Sequence, residues 1–195
     1  MIQIKEVVNS IFTSKTYILY HDGENKAWLV DIGDIEPLIA FCKEKRLSIE
    51  GVFLTHGHFD HIYGLKSLMA YFPQCKVFAT KYCKMALASD KMNLSRYHGD
   101  SFCYEEENVD VVHDGDRKVL FENEPLMIFY ETPGHNPGCL TMVVGDLVFT
   151  GDAYIPEVGT NTQLPHADKE LAKQSQQRII EMAEGKRILS GHQVG

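Results

Sequence analysis

Apolar and polar positions alternate along the first third of the chain as they do in half-buried strands. Residues 2–11, 16–20 and 27–31 are rich in Ile, Val, Tyr and Trp, and His21-Asp22-Gly23-Glu24-Asn25 supplies turn chemistry between the second and third runs. An antiparallel meander is predicted there. The period then lengthens: Leu38, Ile39, Cys42 and the stem of Lys45 fall at helical spacing over 35–45. A short strand over 49–54 runs into a group of histidines, and a helix over 61–71 carries Ile62, Leu65, Leu68 and Met69 on one face. Residues 76–79 read as a strand, 82–94 as a helix, and the polar, acidic stretch 97–108 as a loop. Short strands follow at 109–112, 118–121, 126–132, 140–144 and 147–150, the last two joined by the hairpin signal Gly145-Asp146. A helix over 167–182 offers Leu171, Ile179, Ile180 and Met182 to its buried face, and 187–189 is the last strand. Strands followed by helices, repeated in two halves, predict an α+β fold of two mixed sheets covered by helices on the outside. No low-complexity tract or Gly/Ser linker interrupts the pattern, so one domain over 1–195 is expected.

Composition narrows the classes of partner. With 195 residues, 44% of them apolar, the chain is long enough for one well-buried core. A formal charge of -8 gives no basic footprint for phosphate backbones or anionic lipid, so neither nucleic acid nor a membrane surface is expected as a partner. The start of the chain carries no long apolar stretch, and nowhere do apolar residues run on far enough to span a bilayer. A soluble, cytoplasmic protein is the expectation. The five cysteines are an odd set without a Cys-x-x-Cys pair, which reads as reduced thiols, and Cys139 reads as a packing residue.

The chemistry is concentrated in polar residues that follow apolar strands. His56, His58, Asp60 and His61 crowd together directly after a strand, and positions two apart cannot share a helical face. A tight loop can bring them to one point, with Gly57 leaving room for the turn. His135, Asp152 and His192 each follow an apolar strand and a glycine, which lets the backbone turn sharply where a side chain must be presented to a shared centre. Imidazole nitrogen and carboxylate oxygen are the donors that zinc, iron or manganese takes in catalytic sites.

Thr55-His-Gly-His-Phe-Asp-His61, followed by Pro133-Gly-His135, Thr150-Gly-Asp152 and Ser190-Gly-His192, resembles the metallo-β-lactamase superfamily. Within it, Thr132-Pro-Gly-His-Asn-Pro-Gly-Cys139 is most similar to the glyoxalase II-like (hydroxyacylglutathione hydrolase-like) branch of small hydrolases, and Asp31-Ile-Gly33 matches an early motif of the superfamily. The resemblance implies a four-layer αββα sandwich. It also implies one metal held by His56, His58 and His135, a second held by Asp60, His61 and His192, and Asp152 bridging them, with Asp31 orienting a ligand. Two zinc ions are the default, and iron or manganese suits the same donors in place of one or both. The implied reaction is hydrolysis of a small-molecule thioester or ester by a metal-bridging hydroxide, with Asp60 and Asp152 as the catalytic carboxylates.

Glyoxalase II carries a further helical domain that helps hold glutathione, whereas this sequence stops soon after His192, and its 159–165 segment lacks the Lys and Tyr pattern of a glutathione contact. A minimal thioester or ester hydrolase is therefore expected. The alternatives are a mononuclear iron enzyme like the persulfide dioxygenases, a lactonase, and a non-catalytic metal-binding domain. His21, His98, His113 and His166 read as ordinary polar histidines, though His166 stands where it could line the pocket; Tyr154 reads as a substrate contact or an interfacial aromatic, and Glu105-Glu-Glu107 as a solvated loop. Oligomeric state has no signature in these residues.

Overall fold

Alternation along β2 (Lys15–Tyr20) sends Tyr17 and Leu19 into one core and Ile18 into another, and β3 (Lys26–Val30) divides Trp28 and Val30 from Ala27 and Leu29 in the same way. Strands buried on both faces need cover on both, and the rest of the chain supplies it. A computed structural model describes residues 1–194; Gly195, the last residue of the expected domain, lies outside them. The first sheet has the order β1 (Gln3–Val8), β2, β3, β4 (Ser48–Phe53), β5 (Lys76–Ala79), β6 (Val109–Val111). β1 to β3 form the predicted antiparallel meander, and β3 to β6 are parallel, crossing over through α1 (Ile35–Lys45), α2 (Leu65–Tyr71) and α3 (Lys81–Leu87). The second sheet contains β7 (Arg117–Lys118), β8 (Met127–Glu131), β9 (Leu140–Val144) and β10 (Leu147–Gly151) as antiparallel neighbours. After α4 (Lys169–Met182), β11 (Arg187–Ser190) joins beside β10 in parallel.

Three hydrophobic layers separate four structural ones. Leu38, Leu65, Leu68 and Cys83 of the first three helices pack on Ile18, Leu29, Val52 and Val77. Between the sheets, Trp28 stacks on Phe53 at 5.4 Å between ring centroids, and Phe53 meets Phe129 of the facing sheet at 5.5 Å. On the far side, Ile179 of α4 packs with Cys139 and Ala153. The architecture is the αββα sandwich. Among the described residues no helix is long and apolar enough to cross a membrane.

Several boundaries differ from the sequence expectation, each for a tertiary reason. The first strand ends at Val8, because Asn9 and Ser14 close a turn (Asn9 N–H to Ser14 O, 2.8 Å) in which Phe12 and Thr13 take left-handed backbone angles. The helix expected from 61 begins only at Leu65. The intervening chain is tied instead to Ile32, whose N–H donates to His61 O and whose carbonyl accepts from Gly64 N–H. The helix expected over 82–94 ends at Leu87, and the strand expected over 118–121 shortens to Arg117–Lys118, with the Leu120 carbonyl taken by the Trp28 indole. Phe102 and Tyr104 of the acidic loop are buried against the first core.

The buried face of α4 is also corrected: Ala172, Ser175 and Ile179 are buried, while Leu171 and Ile180 are exposed. The cause is the close approach of the 132–138 loop, where Gly134 has a φ of 143° and a Cβ on it would collide with the Ala172 backbone. Only small side chains fit under that loop, and Ser175 Oγ donates to Pro133 O across the contact at 2.6 Å. Overpacking and left-handed strain together set the expected cost of Gly134→Ala at about 2–4 kcal/mol in equilibrium urea unfolding. A loss below about 1 kcal/mol would show that this loop yields readily.

Candidate metal centre

Strand direction brings the polar loops to one edge of the sandwich. β3 and β4 are parallel, so Asp31 and the 55–61 loop emerge together. β8, β10 and β11 share a direction through the antiparallel β9, so the loops holding His135, Asp152 and His192 emerge together as well. There His56, His58 and His135 form one group, His56, His61 and Asp152 a second, and Asp60, His61 and His192 a third, the donor atoms of each within 4.8 Å of one another. All the residues singled out from the sequence as metal donors are in these groups.

The outer nitrogens of the imidazoles are tethered, which turns the inner ones toward each other. His61 Nδ1 donates to Asp31 Oδ2 at 2.8 Å, His192 Nδ1 to Phe12 O at 2.9 Å, and His135 Nδ1 to Asn161 O at 2.9 Å. Thr55 Oγ1 donates to Asp31 Oδ2 at 2.7 Å and so accepts from His56 Nδ1 at 3.1 Å. His58 Nε2 accepts from the Asn136 NH₂ at 3.2 Å, the Asn136 Oδ1 being taken by Gly138 N–H. Inside the ring of tethers, His56 Nε2 and His135 Nε2 present lone pairs; His58 Nδ1 and His135 Nε2 are 3.0 Å apart, and His61 Nε2 and His192 Nε2 3.3 Å. Asp60 Oδ2 is 3.3 Å from both of the latter, and Asp152 Oδ2 lies 3.1 Å from His192 Nε2 and 3.5 Å from His135 Nε2. Buried His56 Nε2 and Asp152 Oδ1 have no hydrogen-bond partner at all. Tetrahedral donors about 2.0–2.1 Å from an ion stand roughly 3.3–3.4 Å from each other, so the spacing and the orphaned atoms both suit divalent cations.

Two further devices hold this arrangement. The β1–β2 turn and the start of β2 clamp the third group: Ser14 Oγ donates to Asp60 O at 2.7 Å, Lys15 N–H to Gly191 O at 2.7 Å, and the Tyr17 hydroxyl to Ser190 O at 2.7 Å. Gly191 runs so close to Asp152 that a Cβ there would strike the carboxylate.

Electrostatics point the same way. Burial pushes the His56 imidazole well below its ordinary pKa, with His61 and His58 adding to the effect, and burial takes His58 down to about 3. Both are neutral at physiological pH, as a ligand must be. Burial opposes charge on His61 too, yet Asp60, Asp152 and Asp31 raise its pKa well above the usual value. Burial likewise disfavours the Asp152 and Asp60 carboxylates, but His61 leads the neighbours that hold both below the usual range, Asp152 well below. Buried carboxylates at one point demand a compensating cation. A proton on His61 serves when no metal is bound, and a divalent ion serves better.

A cavity of about 360 Å³ opens on the cluster. His58, Asp60, His135, Asp152 and His192 form its floor, and Phe12, Phe59, Leu94, His98, Ile155, Asn161 and Leu164 its walls. Sequence reasoning missed these walls. Phe12 had one local signal, the turn-forming Asn9-Ser10 inside an otherwise apolar run; the others had none. His98, read as an ordinary polar histidine, lies 6.0 Å from Phe59 in a stacked pair and 5.0 Å edge-on from Phe12. His166 sits beside Tyr82 and does not line the cavity, and Tyr154 packs with Cys139 and Ala153 as an interfacial aromatic. A larger cleft of about 610 Å³ beside Glu105, Glu106 and Glu107 has no histidine on its walls, so chemistry belongs to the smaller one.

Comparison with known proteins agrees with this geometry. Glyoxylase B2 of Dictyostelium discoideum is 28% identical over 162 residues, 82% of this chain and 54% of that protein. A hydroxyacylglutathione hydrolase of Citrobacter koseri is 27% identical over 157 residues, 77% of this chain and 54% of that protein. The chain thus spans about half the length of the curated relatives it matches. In fold it is similar to the BLEG-1 B3 metallo-beta-lactamase, with a TM-score of 0.89 at 24% identity over 98% of this chain and 92% of that one. The family profile runs over residues 12–192, from the turn that clamps the third group to the last histidine of the cluster, and the chain belongs to the metallo-beta-lactamase superfamily.

Proposed function

We propose that this chain is a hydrolase cleaving a small-molecule thioester, or a related ester, at a two-metal centre. His56, His58 and His135 would hold one ion, Asp60, His61 and His192 the other, and Asp152 would serve both. The observation that carries the reading is the convergence of five imidazoles and two carboxylates beneath an open cavity, with His56 Nε2 and Asp152 Oδ1 left without a hydrogen-bond partner. A hydrolytic relative, the hydroxyacylglutathione hydrolase of Citrobacter koseri, supports it. Bound ions there supply a water acidified from a pKa of about 15.7 toward 7 and a positive partner for the carbonyl oxygen. Zinc is the default, and iron or manganese suits the same nitrogen and oxygen donors.

The protein's own groups do the rest. Asp60, whose Oδ2 is 3.3 Å from His61 and His192, lines the cavity and is the carboxylate to accept the proton of the attacking water. The water oxygen bonds to the acyl carbon, the C–S bond breaks, and the sulfur leaves with its electron pair as a thiolate. A thiol of pKa about 8.5 needs no protonation to depart, whereas an amine does. The walls accord with this, since His98 is their one titratable side chain.

Metal content per chain, measured by plasma mass spectrometry on protein purified without added metal or chelator, tests the reading together with a thioester, ester and lactone panel. About two ions per chain and thioester turnover are expected. About one iron per chain, with oxygen consumed on a persulfide and no hydrolysis, would replace it by the oxygenase alternative.

A further inference from the structure

The floor of the cavity carries all its fixed charge. Its walls are Phe12, Phe59, Leu94, Ile155 and Leu164, with His98 and Asn161 as the polar exceptions, and no Lys or Arg lines it. Taking a carboxylate out of water without a cation or matched donors is strongly unfavourable. The Asn161 carbonyl is used by His135, and its Oδ1 accepts from Gln163 N–H at 3.0 Å, which leaves the side-chain NH₂ as a donor at the wall. A carbonyl oxygen of the substrate suits that donor, and an ammonium group does not.

Resting on the hydrolase reading above, we infer that the substrate is a compact thioester whose leaving thiol is uncharged and amide-bearing, its apolar part seated against Phe12, Leu94, Ile155 and Leu164. The cavity, about 360 Å³, is at the lower end of the size of small-molecule sites, about 300–1,000 Å³. It holds the acyl group and the first atoms of the thiol. A peptide thiol bearing carboxylates has to place those charges against apolar wall or leave them unpaired at the rim.

The test compares kcat/KM of the zinc-loaded full chain on one butyryl group carried by two thiols: N-acetylcysteamine, which is neutral, and glutathione, which is anionic. A preference of about tenfold or more for the neutral thioester is expected, and Leu164→Arg is expected to shift that ratio toward glutathione by about tenfold. Equal rates, or a preference for the glutathione thioester, would overturn the inference while leaving the thioesterase reading standing. An unchanged ratio in Leu164→Arg would overturn the part played by the apolar wall. Turnover of neither thioester by protein shown to contain its metal would sink the thioester reading, and the inference with it.

Discussion

Asp152→Ala is expected to lose about a thousandfold or more in kcat/KM on a thioester and to fall from about two bound ions per chain toward one or none. The size follows from where the carboxylate stands. Its Oδ2 approaches His135 of one group and His192 of the other, and its buried Oδ1 has no hydrogen-bond partner and lies 3.5 Å from His61 Nε2. Alanine therefore takes a donor from both ions at once. It also leaves His61 with less of the negative charge that compensates it, at a cost of about 3–5 kcal/mol in folding stability. Asp152→Asn separates charge from shape, keeping one acceptor oxygen in nearly the same volume, and should fall between wild type and alanine in metal retained. Circular dichroism of both variants should match the wild type, since none of the hydrophobic clusters contains this side chain. Full activity with wild-type metal content in Asp152→Ala would dispose of the shared-ligand role.

The clustered histidines and aspartates were legible in the sequence because of a local rule. His56, His135, Asp152 and His192 come within a few residues of the end of a strand whose apolar run is itself visible, and strand direction does the assembly. The meander was legible for the same reason, since alternation in β2 and β3 reports burial on two faces. What escaped was set by distant contacts. Nothing near Gly64 reveals that its N–H will be claimed by Ile32, so the helical period over 61–71 was read straight through it. In α4 the largest apolar residues were assigned inward, whereas the 132–138 loop presses so closely that only Ala172 and Ser175 fit. The cavity walls come one or two at a time from separate loops, and an isolated Phe, Leu or Ile in a loop has no spacing to announce its role. Local pattern thus carries the reaction centre, while substrate selection lives in tertiary contacts.

Asp31 gives the other large effect, and it acts without touching the cavity. Its carboxylate accepts from Thr55 N–H, Thr55 Oγ1 and His61 Nδ1, each within 2.8 Å, and through Thr55 it also sets the tautomer of His56. Asparagine has nearly the same shape but offers only one acceptor oxygen, and its NH₂ must face a group that is itself a donor. Loss of such a partner weakens metal binding or activity by about 10–100-fold, and both histidines lie under the one carboxylate, so Asp31→Asn belongs at the upper end of that range. The same substitution has a second signature, opposite in sign. With no metal bound, His61 has a raised pKa and keeps its proton to above its ordinary range, so a metal must displace that proton. In the wild type, affinity therefore rises with pH until His61 would be neutral unaided, and declines on acidification by up to about tenfold per pH unit for each proton displaced. Removing the Asp31 charge lowers the His61 pKa and shifts the whole rise to lower pH. Zinc affinity measured by competition with a chromophoric chelator at several pH values separates the two effects: Asp31→Asn should bind more weakly throughout, with its deficit smallest in acid. A deficit that stays constant across pH would mean that Asp31 acts by aiming the imidazole alone, and undiminished affinity at every pH would remove it from the metal site's support altogether.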